Sequence, residues 1–136
     1  MLAVVDTGPL YAVADADDDD HARCLAVLQR REIELVIPAM VVAEATYLIG
    51  SRLGAEAEAV FLDGLSAFEV EGPTADDWTQ LAALVRKYGD FPLGGTDASV
   101  AVLADRLGTD LIVTLDRRHF RALRSSSGHG YRLLPE

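Results

Sequence analysis

Residues 2–6 read LAVVD, a short and wholly apolar run that ends directly in a carboxylate. Residues 111–116 read LIVTLD and repeat the arrangement near the other end of the chain. Apolar runs of this length are typical of strands that are buried on both faces of a parallel sheet. Parallel strands end at a common edge, and open α/β sheets bind their ligands there. The two runs therefore predict a sheet that carries Asp6 and Asp116 at the same edge.

Outward from these runs, strand patterns alternate with helix patterns. The predicted strands cover residues 2–5, 34–37, 68–70, 111–115 and 131–134. The predicted helices cover residues 19–31, 39–50, 55–66, 74–87 and 96–107, with a short helix after residue 116. In the helix 74–87, the spacing of Trp78, Leu81, Ala82 and Val85 predicts one buried face. The alternation indicates an α/β fold in which helices cover both faces of a parallel sheet.

The bulk composition predicts one cytoplasmic domain spanning residues 1–136. Half of the chain is hydrophobic, which is enough for one core, and no apolar stretch is long enough to span a membrane. The N-terminus lacks the basic region of a signal peptide. The single cysteine, Cys24, cannot form an internal disulfide, which favours a reducing compartment.

The formal net charge of −10 argues against nucleic-acid binding, because phosphate contacts require Lys and Arg. The charge is nevertheless unevenly distributed. An acidic run lies between Asp15 and Asp20, and four arginines lie between residues 117 and 124. A cationic patch can lie beside an acidic site, so RNA binding remains open. The acidic run itself has no functional interpretation from the sequence.

Two further carboxylates are predicted to face inward. Glu44 shares a helix face with Val41 and Leu48, so we expect it to interrupt an apolar stripe. Asp97 opens a helix, with Thr96 as its predicted cap, and Ala101 and Ala104 on its face are expected to pack in the core. Ordinary roles remain open at this point: helix capping or dipole stabilisation for the aspartates, and an ion pair or a surface position for Glu44.

Four carboxylates at one edge would repel each other, and the repulsion would raise some of their pKa values. A hard divalent cation such as Mg²⁺ or Mn²⁺ removes this conflict, since both ions prefer oxygen ligands. A metal ion held by Asp6, Glu44, Asp97 and Asp116 would activate water and stabilise the transition state of phosphodiester hydrolysis.

Competing chemistries fit the sequence less well. The three histidines, His21, His119 and His129, lack zinc-site spacing and are interpreted as surface or hydrogen-bonding residues, and Cys24 is interpreted as a packing residue. An Asp/Mg²⁺ phosphatase remains an alternative, but it would need a second aspartate at position 8, where Gly8 stands. A phospho-receiver would need a lysine after a late strand, whereas Lys87 lies in a predicted helix. Asp90 is interpreted as a loop carboxylate rather than a fifth site member.

The acidic residues lie in segments that resemble the PIN-domain family, and within it the VapC toxins of bacterial toxin–antitoxin pairs. The segments are VVDTGPL (residues 4–10), VAE (42–44), PLGGTDA (92–98) and TLDRRHF (114–120). They occur in the family's order and span nearly the whole chain. The run 114–120 is the most specific of the four.

The resemblance implies an α/β/α sandwich around a parallel sheet of about five strands. It also implies an endoribonuclease that requires Mg²⁺ or Mn²⁺ and cuts structured RNA such as tRNA or rRNA. Asp6, Glu44, Asp97 and Asp116 match the catalytic and metal-binding positions, and Asp6 and Asp97 would be the most direct ligands. Thr7 and Thr114 would support the site.

VapC proteins typically form homodimers that are neutralised by a VapB antitoxin, whose C-terminal segment covers the active site. The resemblance therefore implies a homodimer and a VapB-type partner for this chain. A catalytically silent PIN-like protein that only binds RNA or regulates a partner is the alternative. The loss of a carboxylate would favour it, and none of the four is missing.

The arginines after Asp116 suggest an RNA contact. In a helix, Arg117, Arg121 and Arg124 would fall at i, i+4 and i+7 and share one face. We hypothesise that this face binds the RNA backbone beside the metal site, although a solvated surface would show the same spacing.

Overall fold

The computed structural model describes all residues from Met1 to Glu136 and is built on a five-stranded parallel sheet. The strands are β1 (Leu2–Val5), β2 (Glu34–Pro38), β3 (Glu69–Glu71), β4 (Leu111–Val113) and β5 (Arg132–Leu134). Their order is β3-β2-β1-β4-β5, and every neighbouring pair is parallel. The predicted α/β/α sandwich with about five parallel strands is confirmed.

Seven helices flank the sheet. They are α1 (Thr7–Ala14), α2 (His21–Leu28), α3 (Ala39–Leu53), α4 (Ala55–Gly64), α5 (Asp77–Lys87), α6 (Gly95–Leu107) and α7 (Arg117–Ala122). None of them combines the length and the apolar character that a bilayer crossing requires.

The centre of the core is formed by β1 and α6. Residues 3–5 of β1 are completely buried, and α6 buries seven consecutive residues, 98–104. Four of the seven are alanine or serine, so the helix can lie close to β1, β2 and β4. Ala101 and Ala104 are buried, as predicted. This packing places the first turn of α6 at the carboxyl edge of the sheet.

Helix α1 was not predicted, because Gly8 and Pro9 directly after a strand resemble a turn. Proline is tolerated in the first helical turn, where its missing N–H would have no intrahelical partner. Other differences concern element ends. The N-cap of α6 lies two residues earlier than predicted, at Gly94 rather than Thr96, and β4 ends at Val113 rather than residue 115.

The predicted buried face of α5 is wrong. Leu81 is buried, but the side chains of Trp78 and Val85 are 54% and 37% exposed. The buried face instead runs from Asp77 through Leu81 to the half-buried Leu84. An aspartate on the inner face breaks the apolar spacing, so the pattern of apolar residues alone selected the wrong side of the helix.

Asp77 is buried because it links α5 to α6. Its Oδ2 accepts a hydrogen bond from the Thr74 N–H at 2.9 Å and lies 3.2 Å from Arg106 Nε. Arg106 also donates to Glu71 Oε1 and to the Gly72 carbonyl, both at 3.2 Å. One arginine therefore holds the end of β3 and the start of α5 against α6.

Removal of this carboxylate should destabilise the fold. Asp77→Ala leaves the Arg106 guanidinium and the Thr74 N–H without their buried acceptor, which should lower the free energy of unfolding by about 1–3 kcal/mol. Asp76→Ala is the matched control, since Asp76 is the exposed neighbour and makes no side-chain cap; its effect should stay within about 0.5 kcal/mol. Equal urea midpoints for the two variants would contradict the assigned role.

Candidate metal centre

All four predicted carboxylates line one open cleft of about 460 Å³ at the carboxyl edge of the sheet. Asp6 follows β1, Glu44 lies on α3, Asp97 lies in the first turn of α6, and Asp116 precedes α7. The cleft is lined by Asp6, Thr7, Gly8, Tyr11, Asp18, Glu44, Leu48, Arg52, Asp97, Leu115 and Asp116. The structure thus brings together four side chains that are distant in sequence.

Asp6 is held at the junction of β1 and β4. Its backbone N–H donates to the Val113 carbonyl at 2.9 Å, and its side chain is only 5% exposed. The buried Thr114 hydroxyl donates to Asp6 Oδ2 at 2.7 Å and accepts from the Asp116 N–H at 2.9 Å. A single hydroxyl therefore connects the two strand-end aspartates. The Asp6 side chain makes no capping bond to α1, so helix capping does not explain it.

Asp116 does cap the helix that follows it. Its Oδ1 accepts from the His119 N–H at 3.0 Å, and its Oδ2 lies 2.7 Å from His119 Nδ1. His119 Nε2 lies 2.9 Å from the Phe91 carbonyl, so the ring is held between that carbonyl and Asp116. Asp116 therefore caps the helix that follows it and also lines the cleft.

Asp97, Asp116 and His119 form the tightest group of potential ligands. One ligand atom from each lies within 4.8 Å of the others. His119 was interpreted from the sequence as a surface or hydrogen-bonding residue, and the hydrogen-bonding part of that interpretation agrees with the structure. Its place beside the carboxylates could have been inferred, because position i+3 on a helix lies next to the N-cap residue.

Glu44 reaches the cleft, but not as predicted. The buried stripe of α3 consists of Val41, Ala45 and Ile49, and Glu44 is exposed on the adjacent face. Leu48 and Arg52 follow it at i+4 and i+8 and also line the cleft. The expectation that Glu44 interrupts the apolar stripe is therefore wrong, since the stripe runs one residue further along the helix.

The cleft concentrates negative charge. Burial raises the pKa of Asp6 to about 7, and the charges of Asp97 and Asp116 add to the effect, against the hydrogen bond from the Thr114 hydroxyl. Burial also raises the pKa of Asp97, with smaller contributions from Asp116 and Glu44, while His119 opposes the rise. These shifts show that the ionised carboxylates lack a balancing positive charge.

The residues present fit a hard divalent cation. The acidic donors are carboxylate oxygens, which Mg²⁺ and Mn²⁺ prefer. In addition, the Thr7 hydroxyl lies in the cleft lining, is buried, and has no hydrogen-bond partner within the protein. A buried polar atom without a partner is uncommon in a folded protein and is typical of a site that accommodates an ion or its water.

The three arginines after Asp116 do not form the predicted common face. Helix α7 ends at Ala122, so Arg124 lies beyond it and donates to the carbonyls of Arg121 and Leu123. Arg117 donates to the Pro135 carbonyl. The periodicity did not show that the helix stops after six residues.

The sequence analysis did not identify three further cleft residues, Tyr11, Asp18 and Arg52. Asp18 belongs to the acidic run that had no interpretation. Asp15, from the same run, accepts a hydrogen bond from the Tyr11 hydroxyl at 2.8 Å. The i+8 spacing from Glu44 to Arg52 could have placed the arginine near the site, whereas nothing local predicted Tyr11 or Asp18.

Comparison with known families and proteins agrees with this architecture. The family profile described as the PIN domain matches residues 3–125. Over 134 residues the chain is 40% identical to Ribonuclease VapC26 of Mycobacterium tuberculosis, an alignment that covers 97% of this chain and 99% of that protein.

Two solved structures show the same fold. VapC20 of Mycobacterium tuberculosis, described as a toxin that cleaves the sarcin–ricin loop, superposes with a TM-score of 0.79 at 19% identity. That alignment covers 85% of this chain and 91% of VapC20. VapBC2 from Rickettsia felis, solved with a DNA fragment from its promoter, has a TM-score of 0.71 at 18% identity, with 98% of each chain covered.

The Thr114 hydroxyl provides a first test of the site. Thr114→Val removes the donor to Asp6 and the acceptor for Asp116 while it preserves the shape of the side chain. We expect Mn²⁺ affinity, measured by calorimetric titration, to fall about 10- to 100-fold, as is usual when a partner of a metal ligand is lost. Thr114→Ser keeps the hydroxyl and should bind Mn²⁺ nearly as well as the native chain. Native affinity in the valine variant would contradict the orienting role.

The raised pKa of Asp6 predicts a pH-dependent stability in the absence of metal. The unfolded carboxyl group loses its proton at its ordinary pKa of 3.8, whereas the folded one retains it until about pH 7. The stability contribution is therefore present below pH 3.8 and is lost as the pH rises through about 7. Asp6→Asn removes this loss of stability. The amount by which the variant's free energy of unfolding exceeds that of the native chain should therefore grow from about pH 5 to about pH 8, by up to a few kcal/mol.

Denaturation in EDTA at the two pH values measures this difference. Saturating Mn²⁺ should reverse the order, because the native carboxylate gains a cation and the amide does not. A difference between native and variant that does not change with pH would refute the assigned cause.

Proposed function

This chain belongs to the PIN-domain family and, within it, to the VapC type; from this membership we propose that it is an endoribonuclease that requires Mg²⁺ or Mn²⁺ and acts as the toxin of a VapBC-type toxin–antitoxin pair. The observation that carries the proposal is the convergence of Asp6, Glu44, Asp97 and Asp116 on one cleft. The 40% identity to a VapC ribonuclease extends over nearly the whole chain and supports the same activity.

We assign each carboxylate a role from its surroundings. Asp6 and Asp97 would hold the cation directly, since the Thr114 hydroxyl orients the Asp6 carboxylate and Asp97 lies in the group of potential ligands with Asp116 and His119. Glu44 is exposed at the open side, where it can accept a hydrogen bond from a bound water. Asp116 is fixed by His119 and the Thr114 hydroxyl and would complete the site.

A divalent cation, when bound, lowers the pKa of a coordinated water and offers positive charge to the phosphate oxygens. The protein supplies the rest of the chemistry. Burial of Asp6 excludes water from one side of the cleft, and the Thr114 hydroxyl fixes the orientation of its carboxylate. The open side leaves room for an RNA strand, and Glu44 lies where it can orient the attacking water.

The proposed partners follow from the relatives. The similar Rickettsia felis structure is of VapBC2, which supports a VapB-type antitoxin as the partner of this chain. We propose a homodimer of single-domain chains, residues 1–136, that acts in the cytoplasm. Structured RNA, tRNA or rRNA, is the proposed substrate class, and the description of VapC20 as a sarcin–ricin loop cleaving toxin supports rRNA as one candidate.

The decisive comparison is between Asp97→Asn and Asp90→Asn. Both changes remove one negative charge near the start of α6, but Asp90 is exposed and does not line the cleft. With Mn²⁺ and purified total tRNA and rRNA, Asp97→Asn should reduce the cleavage rate by at least about 100-fold. This exceeds the loss of about 10- to 100-fold that is usual when only a hydrogen-bond partner of a metal ligand is removed. Asp90→Asn should cleave like the native chain.

Growth after induction in a bacterial host gives the second readout. The native chain and Asp90→Asn should arrest growth, whereas Asp97→Asn should not. If the native chain cleaves none of these RNAs with Mn²⁺ or Mg²⁺, or if Asp97→Asn arrests growth like the native chain, the proposed nuclease activity is wrong.

A further inference from the structure

The cleft lining contains one basic side chain, Arg52, among five carboxylates: those of Asp6, Asp18, Glu44, Asp97 and Asp116. A cation in such surroundings would ordinarily form an ion pair. Arg52 forms none, although Arg23, Arg30, Arg106 and Arg132 each pair with a carboxylate. The hydrogen-bonding edge of the Arg52 guanidinium is therefore available to a molecule that enters the cleft.

Tyr11 holds this guanidinium in place. The central carbon of the Arg52 guanidinium lies 5.0 Å from the centre of the Tyr11 ring, within the range of a cation–π contact. The Tyr11 hydroxyl in turn donates to Asp15 Oδ2 at 2.8 Å, which fixes the ring. A guanidinium carries five N–H donors, so its contact with one ring leaves donors that match the oxygens of a phosphate group.

The position of Arg52 on α3 indicates which phosphate it could reach. Arg52 follows Glu44 by two helical turns, about 12 Å along the axis. It therefore lies towards one end of the cleft, away from Glu44. If the phosphate that is cleaved lies at Asp6 and Asp97, a neighbouring phosphate of the same RNA strand would lie near this end of the cleft.

The overall charge makes such a contact necessary. The chain carries a net charge of −10, so its average field repels RNA. None of the arginines after Asp116 lines the cleft, and Arg117 is bound to the Pro135 carbonyl. Arg52 is the cation that the structure places in the cleft itself.

We propose that Arg52, oriented by Tyr11, binds a backbone phosphate of the RNA strand next to the one that is cleaved. This inference rests on the proposed ribonuclease function and adds a substrate-binding residue to it. It also explains part of the acidic run, because Asp15 acts as the support that fixes Tyr11.

The test compares Arg52→Ala with Arg31→Ala. Both remove one exposed arginine, but Arg31 precedes β2 and so lies at the opposite edge of the sheet from the cleft. The probe is a fluorescein-labelled single-stranded RNA of mixed sequence, with Ca²⁺ in place of Mg²⁺ and with RNA integrity checked on a gel. Anisotropy titrations at several salt concentrations give the affinity and its salt dependence, and calorimetry gives Mn²⁺ affinity without RNA.

We expect Arg52→Ala to weaken RNA binding about tenfold and to lower the salt slope by about one, as for the loss of one phosphate contact. Its Mn²⁺ affinity and melting temperature should equal those of the native chain, and Arg31→Ala should not differ from native in any measurement. Arg52→Lys keeps the charge but not the planar fork, so it should recover part of the affinity. Tyr11→Leu should weaken RNA binding less than Arg52→Ala, and the two changes together should be less than additive.

Native RNA affinity and salt slope in Arg52→Ala would overturn the inference while the ribonuclease function stands. Loss of Mn²⁺ binding in the same variant would also overturn it, because Arg52 would then act through the metal site. If Arg52→Ala weakens binding of an acidic antitoxin peptide but not of RNA, the residue belongs to a protein interface instead. If the native chain neither binds nor cleaves RNA, the proposed function fails, and this inference fails with it.

Discussion

The parallel pairing of β1 with β4 is the constraint on which the rest of the structure depends. One more backbone hydrogen bond follows the end of β1, where the Asp6 N–H donates to the Val113 carbonyl. Beyond that bond, the Thr114 hydroxyl bonds the Asp6 side chain, 108 positions away in sequence, and also the Asp116 backbone. Because α6 packs on β1, β2 and β4, the same pairing also sets where Asp97 lies. A change in strand register would separate all of these groups at once.

This constraint keeps like charges together at a cost in stability. Burial and neighbouring carboxylates raise the pKa of Asp6 to about 7, so its ionised form is disfavoured in the folded chain at neutral pH. A fold selected for stability alone would place an amide or an apolar residue there. The unpartnered hydroxyl of buried Thr7 is a second unfavourable feature at the same place. Such features are tolerated where a bound ligand compensates for them, and here a divalent cation would do so.

The wrong predictions share a physical origin. The spacing of apolar residues in α5 selected Trp78 and Val85, but Arg106 draws Asp77 inward and rotates the buried face. The spacing of arginines after Asp116 suggested a basic face, but α7 ends before Arg124. Glu44 was placed on the buried stripe of α3, one residue away from the true one. In each case a periodic pattern was compatible with more than one arrangement, and local spacing could not choose between them.

The amino-acid sequence alone was sufficient for the strand runs, the parallel sheet, the family and the identity of the four carboxylates, because these depend on local hydrophobicity and on short motifs. Asp6 and Asp116 could be assigned to one edge because the direction of parallel strands dictates it. The tertiary structure alone decided that Tyr11 lies against Arg52 and that His119 reaches the Phe91 carbonyl. Those contacts join side chains from different helices and loops, and their geometry depends on helix ends and helix rotation, which packing determines and local sequence does not.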